Sequence, residues 1–211
     1  MPSLKERLDP REWVRTFEDQ WFDRSRHVQT IGLEAKPDMS RIVGPRGDSN
    51  IYGPVRAANV RAALRDLRVR DLSPYTFLDI GSGKGRVLFI AAEYPFRRVI
   101  GVEYDLAMHR IAEQNIAAFR HPGQRCRSIE SVHANAAEFQ FPDGDLVVYL
   151  FNPFGPEILS RMLENLHRAL TRQPRHIVIV MLWAEHADVV ARCPWLRQVH
   201  KTRRHIIFES V

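Results

Sequence analysis

Thr76-Phe77-Leu78-Asp79-Ile80-Gly81-Ser82-Gly83-Lys84-Gly85-Arg86 is the stretch on which the fold turns. A short, mainly apolar run enters three alternating glycines, and a helical apolar pattern over residues 85–93 leaves them. Glycine admits positive φ and close backbone approach, while the first turn of a helix carries N–H groups with no partner inside the helix. A strand, a glycine turn and a helix in that order form a cradle for a nucleotide-like ligand at the carboxyl end of a strand.

Outward from this turn, strand and helix patterns alternate. Strands are predicted over 76–80, 98–103, 127–133, 145–151 and 176–183, with helices over 85–93, 106–119, 156–170 and 185–192. Such alternation implies a parallel sheet with right-handed crossovers and helices on both faces. The last two strands, 196–202 and 205–209, are joined by too few residues for a crossover and must pair antiparallel. The expected fold class is therefore α/β: a doubly wound, mostly parallel seven-stranded sheet with an antiparallel final strand, preceded by an N-terminal helical and loop extension.

Residues 1–73 form that extension and residues 74–211 the ligand-binding core, within one compact domain overall. Asp9-Pro10 reads as a helix start, and Trp13, Phe17 and Trp21 recur at i, i+4 and i+8 as one apolar stripe. From Phe22 to Gly53 the glycines and prolines at Gly32, Pro37, Gly44, Pro45 and Gly47 predict an extended loop, and a second helix follows over 55–67. Long loops of this kind are commonly functional.

The composition, 211 residues with 45 % apolar content, suits a single core. The N-terminus lacks a signal-type apolar stretch, and the longest apolar run, 177–183, is far below the ~20 residues of a membrane span. The expectation is a soluble, cytoplasmic protein without a membrane partner. Cys126 and Cys193 form no CxxC pair, and the nine histidines form no HxH or HxxxH pair, so no metal site is expected. A net charge of +6, with arginines clustered at 61, 65, 68 and 70 and basic residues at 197, 201, 203 and 204, admits a nucleic-acid partner on charge alone. No aromatic stacking platform or RNA-binding module accompanies it.

The spacing narrows the ligand. A dinucleotide site favours GxGxxG, whereas the order here is Asp-x-Gly-x-Gly-x-Gly. A carboxylate at Asp79 would repel a pyrophosphate but can accept hydrogen bonds from the ammonium of an amino-acid moiety. Glu103, 18 residues beyond Gly85, closes the next strand and can accept from both hydroxyls of a ribose. Tyr104 is placed to stack on adenine or to pack on the neighbouring helix, and Asp105 to cap that helix.

Asp79 to Gly85 together with Glu103 resembles motif I and its acidic partner in the class I S-adenosylmethionine (SAM)-dependent methyltransferases, and the resemblance extends from about residue 76 to residue 211. It implies SAM as cofactor, S-adenosylhomocysteine as product and no metal. It assigns Asp79, Gly81, Ser82, Gly83, Gly85, Glu103 and Tyr104 to the cofactor. Asn135 and Ala136 join them in the segment that contacts adenine, with Asn135 standing where the family usually has an acid. Asn152-Pro153-Phe154 partly resembles the Asn-Pro-Pro-Tyr element of amino-group methyltransferases, Phe154 replacing the second proline, and is the catalytic candidate. The same three residues also fit an ordinary turn before a helix. The implied activity is methyl transfer to an unidentified acceptor, favoured as an amino or amide nitrogen of a small molecule or protein side chain. The alternatives are a non-catalytic SAM- or nucleic-acid-binding module and an RNA methyltransferase. A nicotinamide-dependent dehydrogenase is disfavoured by the glycine spacing. Tyr52 and Gly53-Pro54 are candidate lid contacts; His27, Tyr52 and Glu157 are the conceivable bases, none supported beyond its position.

Overall fold

The structure, a computed structural model, describes residues 10–32, 54–152 and 154–211. Helices α1 (Pro10–Arg26) and α2 (Ala57–Arg65) precede the alternating part. There follow β1 (Thr76–Ile80), α3 (Arg86–Ala91), β2 (Arg98–Glu103), α4 (Leu106–Ala118), β3 (Ile129–His133) and β4 (Leu146–Leu150). The chain ends with α5 (Pro156–Arg172), β5 (Ile177–Leu182), α6 (Ala187–Ala191), β6 (Leu196–Lys201) and β7 (His205–Ser210).

The seven strands form one sheet in the order β3-β2-β1-β4-β5-β7-β6. All pairings from β3 to β5 are parallel, whereas β7 is antiparallel to both β5 and β6. This is the α/β architecture read from the sequence. The chain leaves β1 towards β2 and later returns to β4 on its other side, so the strand order reverses at β1. Loops diverge there, and in open α/β sheets that point receives the ligand.

The strand interiors are buried on both sides: every residue of β1, β4 and β5 is buried. Continuous apolar runs rather than alternating ones follow from helices covering both faces. One face carries Phe77, Val99, Val147, Tyr149 and Val180 beneath α2 and α3. The other carries Leu78, Ile100, Val148, Ile179 and Phe208 beneath α5 and α6.

Helix α1 differs from its sequence reading in extent and in the face it buries. It continues through Phe22 to Arg26, where a loop was expected to begin. His27 ends it with φ 58°. The Val28 N–H bonds the Asp23 carbonyl at 3.0 Å and the His27 N–H bonds the Arg24 carbonyl at 3.5 Å, a Schellman arrangement in which a histidine occupies the left-handed position usual for glycine. Two residues of the stripe face outward: Phe17 is 70 % and Trp21 59 % exposed. The buried face is Asp19, Phe22, Asp23 and Arg26. Polar residues win it because partners await them, as α3 presents Arg86 and the residue after its C-cap is Glu93. The Phe22 ring lies between the guanidinium groups of Arg26 and Arg86, each 4.2 Å from its centroid. Arg86 forms ion pairs with Asp19 and Asp23, and Arg26 one with Glu93 at 2.6 Å.

Candidate cofactor and acceptor site

Gly81, Gly83 and Gly85 have φ of 81°, 52° and 87°, so all three stand in the region that disfavours a side chain. The turn is pinned to the neighbouring strand: the N–H groups of Gly81 and Ser82 bond the Val102 carbonyl at 2.8 and 3.2 Å. Gly101 makes this approach possible. A Cβ there would meet the Ser82 Oγ at 2.6 Å and a Leu88 methyl at 2.9 Å.

Two carboxylates flank the turn. Asp79, at 3 % exposure, has no described residue bonded to its side chain, and burial, then the Glu103 charge, pushes its carboxyl well above the ordinary range. Glu103 is engaged: its Oε2 accepts from the Gly83 N–H at 2.7 Å and its Oε1 from the Asp105 N–H at 2.8 Å. Burial raises its carboxyl too, against the lowering effect of these bonds. An ionised carboxylate has about four acceptor positions, so two remain for a ligand's hydroxyls. Asp105 caps α4, accepting from the N–H groups of Ala107 and Met108.

Close to Asp79, the Ser82 Oγ and the Tyr149 hydroxyl are also buried with no hydrogen-bond partner. Tyr149 is the register partner of Asp79 across β1 and β4, so the two side chains share a face. Its hydroxyl is held well above its usual pKa by burial and then by the Asp79 charge. Sequence reasoning assigned no role to Tyr149, which lies in a continuously apolar strand. A buried acid, hydroxyl and phenol without partners beside three left-handed glycines are what a polar, cationic amino-acid end would satisfy.

The remaining predicted residues divide. Tyr104 is 41 % exposed, and its ring lies 6.2 Å from that of His133, whose Nε2 contacts the Tyr104 carbonyl at 2.8 Å. Asn135 accepts from the Ala137 N–H at 3.0 Å, forming an Asx turn, and Ala136 packs against the core. Asn152 follows β4 with φ 41°, and its Oδ1 accepts from the Glu185 N–H at 3.2 Å. Phe154 is 9 % exposed within the core beneath α5. Pro153, Tyr52 and Gly53 lie outside the described residues. His27 is the exposed helix-capping residue already met, and Glu157 lies in the first turn of α5.

Trp183 was missed as a site residue. It follows β5 directly, 46 % exposed and with φ 48°, a conformation rare for a bulky side chain. Asn152 and Trp183 thus end the adjacent strands β4 and β5 in left-handed backbone, and the Asn152–Glu185 bond joins the two strand ends. Strained non-glycine positions of this sort collect at functional sites.

A third side lies over the turn. The Lys84 Nζ donates to the Ile31 carbonyl at 3.3 Å, and Arg86 donates to Thr30 Oγ1 at 3.0 Å. Asn115 bonds the Gln29 backbone and also donates to the Lys84 carbonyl at 2.9 Å. Residues 29–31 are therefore tied to the glycine turn itself.

A family described as a methyltransferase domain matches residues 77–173, from β1 through α5. The matched stretch includes Asp79, the three glycines of the turn and Glu103. Residues 77–173 thus form a methyltransferase domain, on the α/β fold described above. No curated protein matches the chain. Among solved structures it is similar to TrmN from Thermus thermophilus, with 17 % identity over 74 % of this chain and 49 % of that chain, at a TM-score of 0.54. It is similar to the glycopeptide N-methyltransferase MtfA, at 12 % identity over 74 % of this chain and 89 % of that one, TM-score 0.53. A third is a predicted N6-adenine-specific DNA methylase from Listeria monocytogenes str. 4b F2365, at 16 % identity, 74 % and 51 % coverage and TM-score 0.52. The methyltransferase spans about half the length of TrmN and of the Listeria protein. At these identities the likeness is one of fold. No helix among the described residues is long and apolar enough to cross a membrane.

Proposed function

We propose that this methyltransferase acts on an amino or amide nitrogen of a small molecule or protein side chain, at the carboxyl ends of β1, β4 and β5. When bound, SAM would supply a methyl on a positive sulfur; the acceptor nitrogen would take it with its lone pair, the sulfur would keep the electrons of the broken bond, and the proton from nitrogen would pass to solvent. The chain's own task is alignment and exclusion of water, which contributes several kcal/mol through orientation alone.

The observation that carries the SAM-binding part of the reading is the Asp79 carboxylate, buried beside the glycine turn and without a partner among the described residues. It accepts from the cofactor's ammonium. Ser82 and Tyr149 offer the neighbouring hydroxyls, Gly81, Gly83 and Gly85 the close backbone, and Glu103 the acceptors for the ribose. Tyr104, Asn135 and Ala136 flank adenine. On the acceptor side, Asn152-Pro153-Phe154 follows the strand adjacent to β1, in the position from which the amino-group methyltransferases it resembles address their nitrogen. Trp183 stands beside it as a planar wall for a flat acceptor group. Residues 1–73 form the extension that covers this site, supported by the bonds from residues 29–31 to Lys84, Arg86 and Asn115.

The test is incubation of the purified enzyme with methyl-labelled SAM and a cell extract separated into protein, RNA and small-molecule fractions. Label in base-stable protein or small-molecule amines supports the reading. Label confined to RNA replaces the acceptor class, and stoichiometric SAM binding without any labelled product removes catalysis.

A further inference from the structure

The β6–β7 hairpin and the end of α2 bring together three side chains that the methyl-transfer site does not use. Asp66 is the C-cap of α2, its N–H bonded to the Ala62 carbonyl. Its Oδ2 lies 2.9 Å from His205 Nε2 and 3.3 Å from His200 Nε2. The carboxylate oxygen and the two ring nitrogens all lie within 4.8 Å of one another. The histidine rings are stacked, 5.5 Å apart with 27° between their planes.

This convergence depends on an irregularity in the sheet. In β6, Gln198 is opposite Phe208 but His200 is opposite Ile207, so Val199 is an extra residue. Side chains alternate along a strand, and one inserted residue reverses the alternation beyond it. Without the bulge His200 would share the face of Ile206 beneath α6; with it, His200 shares the face of Ile207 and His205, towards α2. Bulges that re-aim one side chain are typical of sites.

The chemistry of the set points one way. The His200 Nε2 is buried and has no hydrogen-bond partner, although it is aimed at Asp66. His205 is held from behind, its Nδ1 3.2 Å from Thr202 Oγ1, the outer support that metal-binding imidazoles usually have. Two imidazoles and one carboxylate suit a borderline divalent ion such as Zn2+, with water completing a tetrahedron, and do not suit Mg2+ or Ca2+, which take oxygen. The Asp66 and His200 side chains are 39 % and 30 % exposed, so an ion has a path in.

We propose that Asp66, His200 and His205 bind one divalent transition-metal ion, Zn2+ for preference, which staples the C-terminus of α2 to the β6–β7 hairpin. Two strands, β4 and β5, stand between this hairpin and β1, so the ion serves structure and not methyl transfer. The basic neighbours Lys201, Arg203 and Arg204 mean that attraction comes from direct ligation rather than from a general negative field.

The full chain, stripped with EDTA and dialysed, is titrated with ZnCl2 by calorimetry and with CoCl2 by visible absorption. One Zn2+ per chain is expected, with the absorption of tetrahedral Co2+ and a Tm rise of about 5–10 °C at a hundredfold excess over Kd. His200→Ala and Asp66→Asn, both at partly exposed positions, are expected to lose at least tenfold in Zn2+ affinity while binding S-adenosylhomocysteine as the wild type does. No stoichiometric Zn2+ binding, or binding of wild-type affinity in His200→Ala, overturns the site.

Discussion

At Asp79 stability and function oppose one another. An unpaired carboxylate inside the protein favours its protonated form, so its folded pKa stands above the ordinary value of about 3.9. A raised acid is a group that holds its proton more tightly folded than unfolded. Its contribution is fully present below the unfolded pKa and is lost as pH rises through the folded one. Asp79→Asn, which keeps the shape and removes the charge, is therefore expected to stabilise the ligand-free enzyme at pH 7 by about 1–3 kcal/mol, read as a higher Tm. The same variant should bind SAM at least a hundredfold more weakly, because the ammonium loses its counter-charge. In the wild type, SAM affinity should rise with pH as Asp79 ionises. A variant with wild-type Tm and wild-type affinity would show that Asp79 is not the ammonium's partner. Tyr149→Phe separates the two effects differently: it removes a buried hydroxyl that has no partner, so Tm should hold or rise, while SAM binding weakens by about tenfold if the phenol meets the cofactor.

Between elements, the deciding contact is the approach of β2 to the glycine turn. Gly101→Ala places a methyl within 2.6 Å of the Ser82 Oγ and 2.9 Å of Leu88, so either the turn or the first residues of α3 must move. Overpacking of this kind costs about 1–3 kcal/mol, and SAM affinity should fall with it although residue 101 is not assigned to the cofactor. Unaltered binding and Tm would mean the turn yields freely. The strands and helices themselves were legible because burial on both faces leaves continuous apolar runs such as 177–182, and because Asp79, the glycines and Glu103 are near one another in sequence. What the sequence hid was assembled at long range. Tyr149 meets Asp79 only through strand register, Trp183 matters only through a backbone angle, and His200 with His205 meet Asp66 only because a bulge shifts one strand by a residue. The face of α1 was illegible for a related reason: Trp13, Phe17 and Trp21 outweigh Asp19, Asp23 and Arg26 on any hydropathy scale, and the ion partners at Arg86 and Glu93 are more than sixty residues away.

Across the whole molecule, these ion pairs couple the N-terminal extension to the cofactor turn. Glu93 accepts from Arg26 at 2.6 Å and from Arg61 at 2.8 and 2.9 Å, so one carboxylate joins α1, α2 and the end of α3. Burial pushes its carboxyl up, but the hydrogen bonds from Arg61 and Arg26 outweigh that and hold it below the usual range. For a depressed acid, stability is present above the unfolded pKa and disappears as pH falls through the folded one. Glu93→Gln should accordingly destabilise the enzyme by about 3 kcal/mol at pH 7, with the difference from wild type shrinking below about pH 4. At the other end of α3, Arg86 pairs with Asp19 and bonds Thr30, and the helix is N-capped by Gly85, so α1 is fixed by the first turn of the helix that leaves the glycines. Coupling of this kind is reciprocal: if cofactor binding orders the turn, it must also hold α1, and loss of α1 must weaken the cofactor. S-adenosylhomocysteine is therefore expected to slow amide exchange across residues 16–31 in the wild type. In Arg86→Met, which keeps the length of the side chain and removes its charge, that protection should vanish and S-adenosylhomocysteine affinity should drop by about tenfold. Exchange in 16–31 that ignores the ligand in both proteins would show that the extension and the turn are independent units, and that residues 29–31 touch the site without sensing it.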